Sequence, residues 1–228
     1  MEQQQSYGPL PKRIPIFPLP GVLLLPKARL PLNIFEPRYL DMVRDAMAGE
    51  RLIGMVQPLG PGRDGRCPPI YGIGGAGRIT SFRETDDGRF LITLTGLSRF
   101  RIVEEVAAET RYRQVLADWE SFGADRDTTA TVDDSAIDRN RLMAALRAYL
   151  AMVDLPADWN TIEKAPTGPL IDNLAMICPF GASEKQALLE SPDVLERSRI
   201  ITALVEMAVL HIAGGHGGER DDESSAVH

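Results

Sequence analysis

At 228 residues, with 44% hydrophobic and 25% charged side chains, the chain is long enough to bury a real core as one large or two small domains. Its net charge of −7 argues against non-specific nucleic-acid binding, which needs a basic footprint, and against an anionic membrane surface. The start Met1-Glu-Gln-Gln-Gln-Ser carries no secretory signal, and no apolar run approaches the roughly 20 residues of a membrane span. A cytoplasmic protein is expected, with neither nucleic acid nor membrane as partner.

Residues 1–12 read as a flexible lead-in. From Ile14 to Val43 the pattern is strand, tight turn, strand, helix. Pro20-Gly21 supplies the turn, because Pro fixes φ and Gly accepts positive φ. Leu30, Leu32 and Ile34 alternate on one strand face. Glu36 stands where a helix would be capped, Pro37 at its first position, and Leu40, Val43 and Met47 follow at helical spacing. Gly49 is expected to end that helix in the left-handed conformation. Between the two strands, Val22-Leu-Leu-Leu-Pro26 places four apolar residues in a connection, where they cannot all face one core side. Core is one reading; an exposed, sticky rim made by one or two of them is the other.

Leu52 to Gln57 reads as a strand, Pro58 to Pro69 as an exposed loop, and Ile70 to Phe82 as β-like. Glycines at 72, 74, 75 and 77 predict bulges or close backbone contacts in that last run. Thr85-Asp-Asp-Gly88 is a hairpin turn. After it, Phe90, Ile92 and Leu94 alternate on one face, then come β-like runs at Phe100–Val103 and Tyr112–Trp119. So many short strands suggest a closed or partly closed barrel, which removes edges. Residues 120–134 are polar and acidic and read as a linker. The period then becomes helical: Leu142, Leu146, Tyr149, Leu150 and Val153 up to Pro156, a short helix at Asp158–Glu163, and one from Pro169 to Ile177. Ser183 to Gln186 has capping-box spacing, and Ser191-Pro192 opens the last helix, striped by Ile201, Leu204, Val205, Ala208 and Ile212. Residues 214–228 read as a disordered tail.

The chemistry-bearing patterns are weak. Gly72-Ile-Gly74-Gly-Ala-Gly77 matches the dinucleotide fingerprint, but β-like residues follow where a helix must start. Ser98 fails the nucleophile-elbow pattern because position 100 is Phe; Ser183 and Lys185 sit at a helix start, where capping explains them. His211, His216 and His228 lack spaced partner ligands, and Cys67 and Cys178 lack partners at metal spacing. Arg78, Arg99 and Arg101 read as solvated strand residues, with a polar groove edge as the other reading. No catalytic, cofactor or metal residue is assigned, and no cofactor is expected.

The run Pro15-Ile-Phe-Pro-Leu-Pro-Gly-Val, with Pro31-Leu-Asn-Ile-Phe-Glu-Pro-Arg-Tyr, resembles the amino-terminal, substrate-recognition domain of Lon proteases. The resemblance continues through Gly74–Thr80, Asp87–Ile102, Ala175–Phe180 and Glu184–Glu190, so it spans roughly residues 10 to 213. It implies an α+β fold: a β-rich, PUA-like pseudo-barrel with one helix at 13–119, then a C-terminal helical bundle at 135–213. It implies a free-standing, noncatalytic bacterial module that binds unfolded or degron-bearing polypeptides, with a protease or chaperone as a further partner. Lon's ATPase and Ser–Lys protease domains have no counterpart in the sequence, so no enzyme activity is expected. Phe17, Leu23, Leu24, Leu25 and Phe35, in or beside the proline-bounded turn, form the candidate peptide-binding set. In the signature Glu36-Pro37-Arg38-Tyr39, the expected role is structural: Glu36 satisfies helix N–H groups and Arg38 ties the helix to the barrel, with ligand contact as the other reading. The competing functional reading is a small-molecule binder or hydrolase with a pocket between the two halves.

Overall fold

The computed structural model describes residues 10–60, 67–127 and 134–215. Contacts divide the chain into two compact units, Met1–Thr131 with Met176–Glu190, and Val132–Ala175 with Ser191–His228.

In the first unit, alternating apolar side chains build β1 (Arg13–Pro18), β2 (Arg29–Ile34), β3 (Leu52–Val56), β4 (Ile73–Glu84), β5 (Phe90–Val106) and β6 (Gln114–Asp118). Their order is β2-β5-β4-β3-β1-β6, and β5 also pairs with β6, which closes five of them into a ring. Closure depends on the length of β5, 17 residues. Its first half, Phe90 to Thr95, takes β2, and its second half, Arg101 to Val106, takes β6. The expected separate run at Phe100 is thus the far half of one strand. Gly96 does not break it, because Gly96 pairs with Gly77 across the ladder. The β4–β5 register shifts at Ala76/Gly77, where the glycines predicted a bulge, and again at Ile79/Ser81. β2 stays an edge strand, with Pro31 in its middle to discourage further pairing.

Alternate residues of β3 feed two cores. Ile53 and Met55 join Phe17, Ile34, Phe90, Ile92, Leu94 and the buried face of α1 (Pro37–Ala48), namely Tyr39, Met42, Val43 and Ala46. Leu52 and Val56 join Ile14, Ile16, Phe100, Val115 and Trp119. The helix starts as expected at Pro37 but ends differently. Gly49 has φ −117°, and the left-handed residue is Arg51, whose N–H bonds the Ala46 carbonyl at 2.8 Å.

The connection from Gly21 to Pro26 is a buried strap. Gly21 turns at φ +71° and donates to Gln57 Oε1, while Gln57 Nε2 donates to the Val22 carbonyl at 2.7 Å. The strap lies directly on glycines: a Cβ on Gly75 would stand 1.9 Å from the Leu24 carbonyl oxygen, and one on Gly96 would stand 2.0 Å from that of Leu25.

Two expectations about connections change. Where a linker was expected over 120–134, Glu120–Arg126 is a 3₁₀ helix. It is nucleated by Asp118, which accepts from Glu120 N and Ser121 Oγ, and pinned by Asp125 on Arg99. Residues 128–133 lie outside the described ones. In the loop 58–69, residues 61–66 do too, but the ends are held by a Pro58–Ile70 bridge and a Leu59 N–H to Pro69 carbonyl bond.

The second unit holds α2 (Arg139–Met152), α3 (Trp159–Lys164), most of α4 (Thr167–Ile177) and α6 (Val194–Gly215). Asp138, Asp158 and Asp193 each cap a helix start, accepting from Arg141, Thr161 and Glu196 N–H respectively. Asp193, not Ser191-Pro192, therefore opens α6. Arg141 on α2 grips Glu206 on α6 with two 2.7 Å bonds. α5 (Ala182–Glu190) belongs with the barrel unit. Its start is closed by Glu184 accepting from Gly181 N–H at 2.7 Å, so the box is shifted from Ser183 by two residues. The tail expected from 214 is helical at its first two residues, Gly214 and Gly215, the end of α6; residues 216–228 lie outside the described ones.

Candidate functional site

The five apolar candidates do not form one surface. Leu23, Leu24 and Leu25 are 2%, 1% and 0% exposed, because the strap is enclosed on both sides by the glycine floor and the core. Phe17 is buried against Tyr39, ring centroids 4.1 Å apart. Phe35 alone is open, at 62%, beside Arg89.

The signature residues are arranged otherwise than expected. Glu36 precedes the helix with extended backbone, but its side chain caps no N–H. Its carboxylate instead accepts from Arg38 Nε at 2.9 Å, and both side chains are 45% exposed. Arg38 also covers the Tyr39 ring, 4.4 Å from its centroid, rather than tying α1 to the barrel strands. Glu36→Ala is therefore expected to change stability by less than about 0.5 kcal/mol, the scale of an exposed pair, in a thermal melt.

Arg38 and Tyr39 open instead onto a groove of about 260 Å³ on the barrel unit. Pro18 and Pro20 at the end of β1, Pro58 and Gly60 after β3, Cys67 and Pro68, and Arg111, Tyr112 and Arg113 before β6 complete it. These are the ends of elements, where proline cannot continue a ladder. Arg113 is fixed by both Glu105 oxygens and by the Pro68 carbonyl at 2.8 Å. The Tyr112 hydroxyl donates to Asp45 Oδ2 at 2.7 Å. Arg111, Tyr112, Arg113 and Cys67 carry no periodic signal; the one sequence hint is that Arg111-Tyr112 repeats the Arg38-Tyr39 pair.

Burial raises the Tyr39 phenol above its ordinary value, and burial with the Asp45 bond pushes Tyr112 up to about 12. The hydrogen bond from Arg113 holds the Glu105 carboxyl low. At neutral pH both tyrosines are therefore protonated: Tyr112 gives its proton to Asp45 in a hydrogen bond, and the Tyr39 hydroxyl is left as a donor on the groove wall, suited to carbonyl and carboxylate oxygens. Because the raised value favours neutral Tyr112, its contribution to stability is complete below pH 10 and is lost as pH rises toward about 12. Melting temperatures across that window should fall less steeply in Tyr112→Phe.

The remaining chemical candidates serve the fold. Ser98 is buried and donates to the Arg99 carbonyl. Ser183 is exposed, whereas Lys185 is buried with Nζ 2.6 Å from the Met176 carbonyl, so they face apart. Arg99 is 5% exposed, correcting its reading as a solvated residue. His211 is exposed on α6; His216 and His228 lie outside the described residues. Among the described residues no group of three His, Cys, Asp or Glu could hold a metal, and no helix is long and apolar enough to cross a membrane.

A family model described as the ATP-dependent protease La (LON) substrate-binding domain matches residues 13–206. The chain belongs to the Lon substrate-binding domain family. Curated relatives include the Lon protease of Dictyoglomus thermophilum, 27% identical over 208 residues, covering 90% of this chain and 26% of that protein. The Lon protease of Syntrophus aciditrophicus is 30% identical over 207 residues, covering 86% of this chain and 25% of its own length. The chain thus spans about a quarter of the curated relatives it matches. Solved Lon N-terminal domains share the fold. The Xanthomonas campestris protein has TM-score 0.57 and 24% identity, covering 84% of this chain and 97% of that one. The Mycobacterium avium complex domain has TM-score 0.58 and 18% identity, covering 85% and 98%. This Lon substrate-binding domain is α+β with C-terminal helices, as its sequence implied.

Proposed function

We propose that the chain is a noncatalytic recognition module that binds extended, unfolded or degron-bearing polypeptide in the cytoplasm, and that its contact surface is the proline-, tyrosine- and arginine-lined groove. The observation that carries this is the groove itself, on a chain that the substrate-binding family model matches over 13–206: the stretch that resembles Lon N-terminal domains supplies two of its walls, through Pro18 and Pro20 and through Arg38 and Tyr39. Its volume of about 260 Å³ accepts a few side chains of an extended chain, not a folded surface. An unfolded partner must be ordered on binding, so affinity is micromolar or weaker. A protease or chaperone would receive what the module captures. Titration with a permanently unfolded protein and with its folded parent tests this. Saturable binding of the unfolded form alone is expected; equal binding of both forms, or of neither, would overturn the reading.

A further inference from the structure

Among the described residues, three arginines and no Asp or Glu line the groove, in a chain whose acidic residues outnumber its basic ones 32 to 25. We infer that the groove selects a polypeptide segment carrying an aspartate or glutamate side chain flanked by apolar residues, and that the Tyr39 hydroxyl and the Arg111 guanidinium are the donors that hold the carboxylate. This deepens the polypeptide-binding reading and rests on it.

Tyr39 supplies the first reason. It is 5% exposed and lines the groove, yet its hydroxyl makes no hydrogen bond with any described residue. Tyr112, equally buried, has its hydroxyl satisfied by Asp45 at 2.7 Å. The Tyr39 ring is buried while its hydroxyl still reaches the groove, so it is a donor, without a partner among the described residues, that a ligand oxygen can take. Arg111 supplies the second. Its side chain is 73% exposed at the rim, and its ion pair with Asp41 spans 3.8 Å, too long for a hydrogen bond. Its fork is therefore available for a bidentate carboxylate. Arg38 and Arg113 are already bonded to Glu36 and Glu105, so they shape the wall rather than take the ligand.

The walls decide between sources of the carboxylate. Pro18 with Pro20 and Pro58 with Pro68 give apolar surface from two separate segments. An acidic side chain within a segment brings apolar neighbours on both sides to meet them; a chain terminus brings them on one. Nucleic acid is disfavoured because stacking needs open aromatic faces, and both tyrosines are over nine-tenths buried.

The test uses the full chain and fluorescent peptides of one extended apolar sequence with a central Asp or Glu, against the Asn or Gln counterpart, each with a free or amidated C-terminus. Replacing the acid by its amide should weaken binding about tenfold, as should Arg111→Ala and Tyr39→Phe, which keeps the ring on Phe17. Raising salt should narrow the gap between acidic and amide peptides. Should Tyr39→Phe unfold, Arg111→Ala, an exposed change, carries the test alone. Equal affinity for acid and amide peptides, while unfolded protein still binds, would overturn this inference and leave the proposed function standing. Affinity set by the free C-terminus, or a single-stranded RNA that binds more tightly than the peptides, would overturn it as well. Loss of all unfolded-protein binding in the parent chain would overturn both.

Discussion

Gly75→Ala should destabilise the barrel by about 3 kcal/mol or more, the upper end of overpacking costs, and lower the melting temperature by roughly 6–12 °C for a chain of this size. The added Cβ would lie 1.9 Å from the Leu24 carbonyl oxygen and 3.0 Å from its carbon. Those are backbone atoms of a buried strap, not the free end of a side chain, so relief requires moving the strap off β4. Gly72→Ala is the matched control, since nothing lies within 4 Å of a Cβ there, and its melt should be unchanged. If the two variants melted alike, the glycine floor would not be what seats the strap.

Asp125→Ala should cost about 3–5 kcal/mol, because it strands a buried guanidinium. Arg99 and Asp125 side chains are 6% and 8% exposed and meet through two side-chain bonds, Nε to Oδ2 at 2.9 Å and Nη2 to Oδ1 at 2.8 Å. Asp125 also accepts from the Arg99 backbone N–H, and Arg99 reaches the Leu189 carbonyl near the end of α5 at 3.0 Å and stacks on Phe122 at 4.6 Å. This clasp binds β5, the 3₁₀ helix and α5 into one unit. Replacing both partners by Leu should recover most of the loss, since no charge is then left unpaired. Urea midpoints decide it: a single variant as stable as the parent would mean that the clasp does not hold these elements.

The strands were readable because their signal is local. Phe90, Ile92 and Leu94 alternate in sequence and are 2%, 2% and 0% exposed in the fold. The glycines at 74, 75 and 77 announced close approach, but not which segment approaches; Leu24 is about fifty residues earlier. That is why Leu23 to Leu25 read as a candidate rim although they are core. Arg99 looked solvated because its partner, Asp125, stands in an acidic stretch that resembles a linker. The groove was half legible. Arg38 and Tyr39 drew notice through the signature, whereas Arg111 and Arg113 reach it only because β6 closes the barrel beside β1, and Cys67 because the ends of the 58–69 loop are tied together.

Cys67 gives the most direct test of the central claim, that this groove contacts polypeptide. It is exposed and lines the groove, while Cys178 is buried, so a small alkylating reagent reports on Cys67. A permanently unfolded protein, added to saturation judged independently by fluorescence polarisation, should slow Cys67 alkylation, and its folded parent should not. An unchanged alkylation rate at saturation would place the bound chain elsewhere and contradict the account.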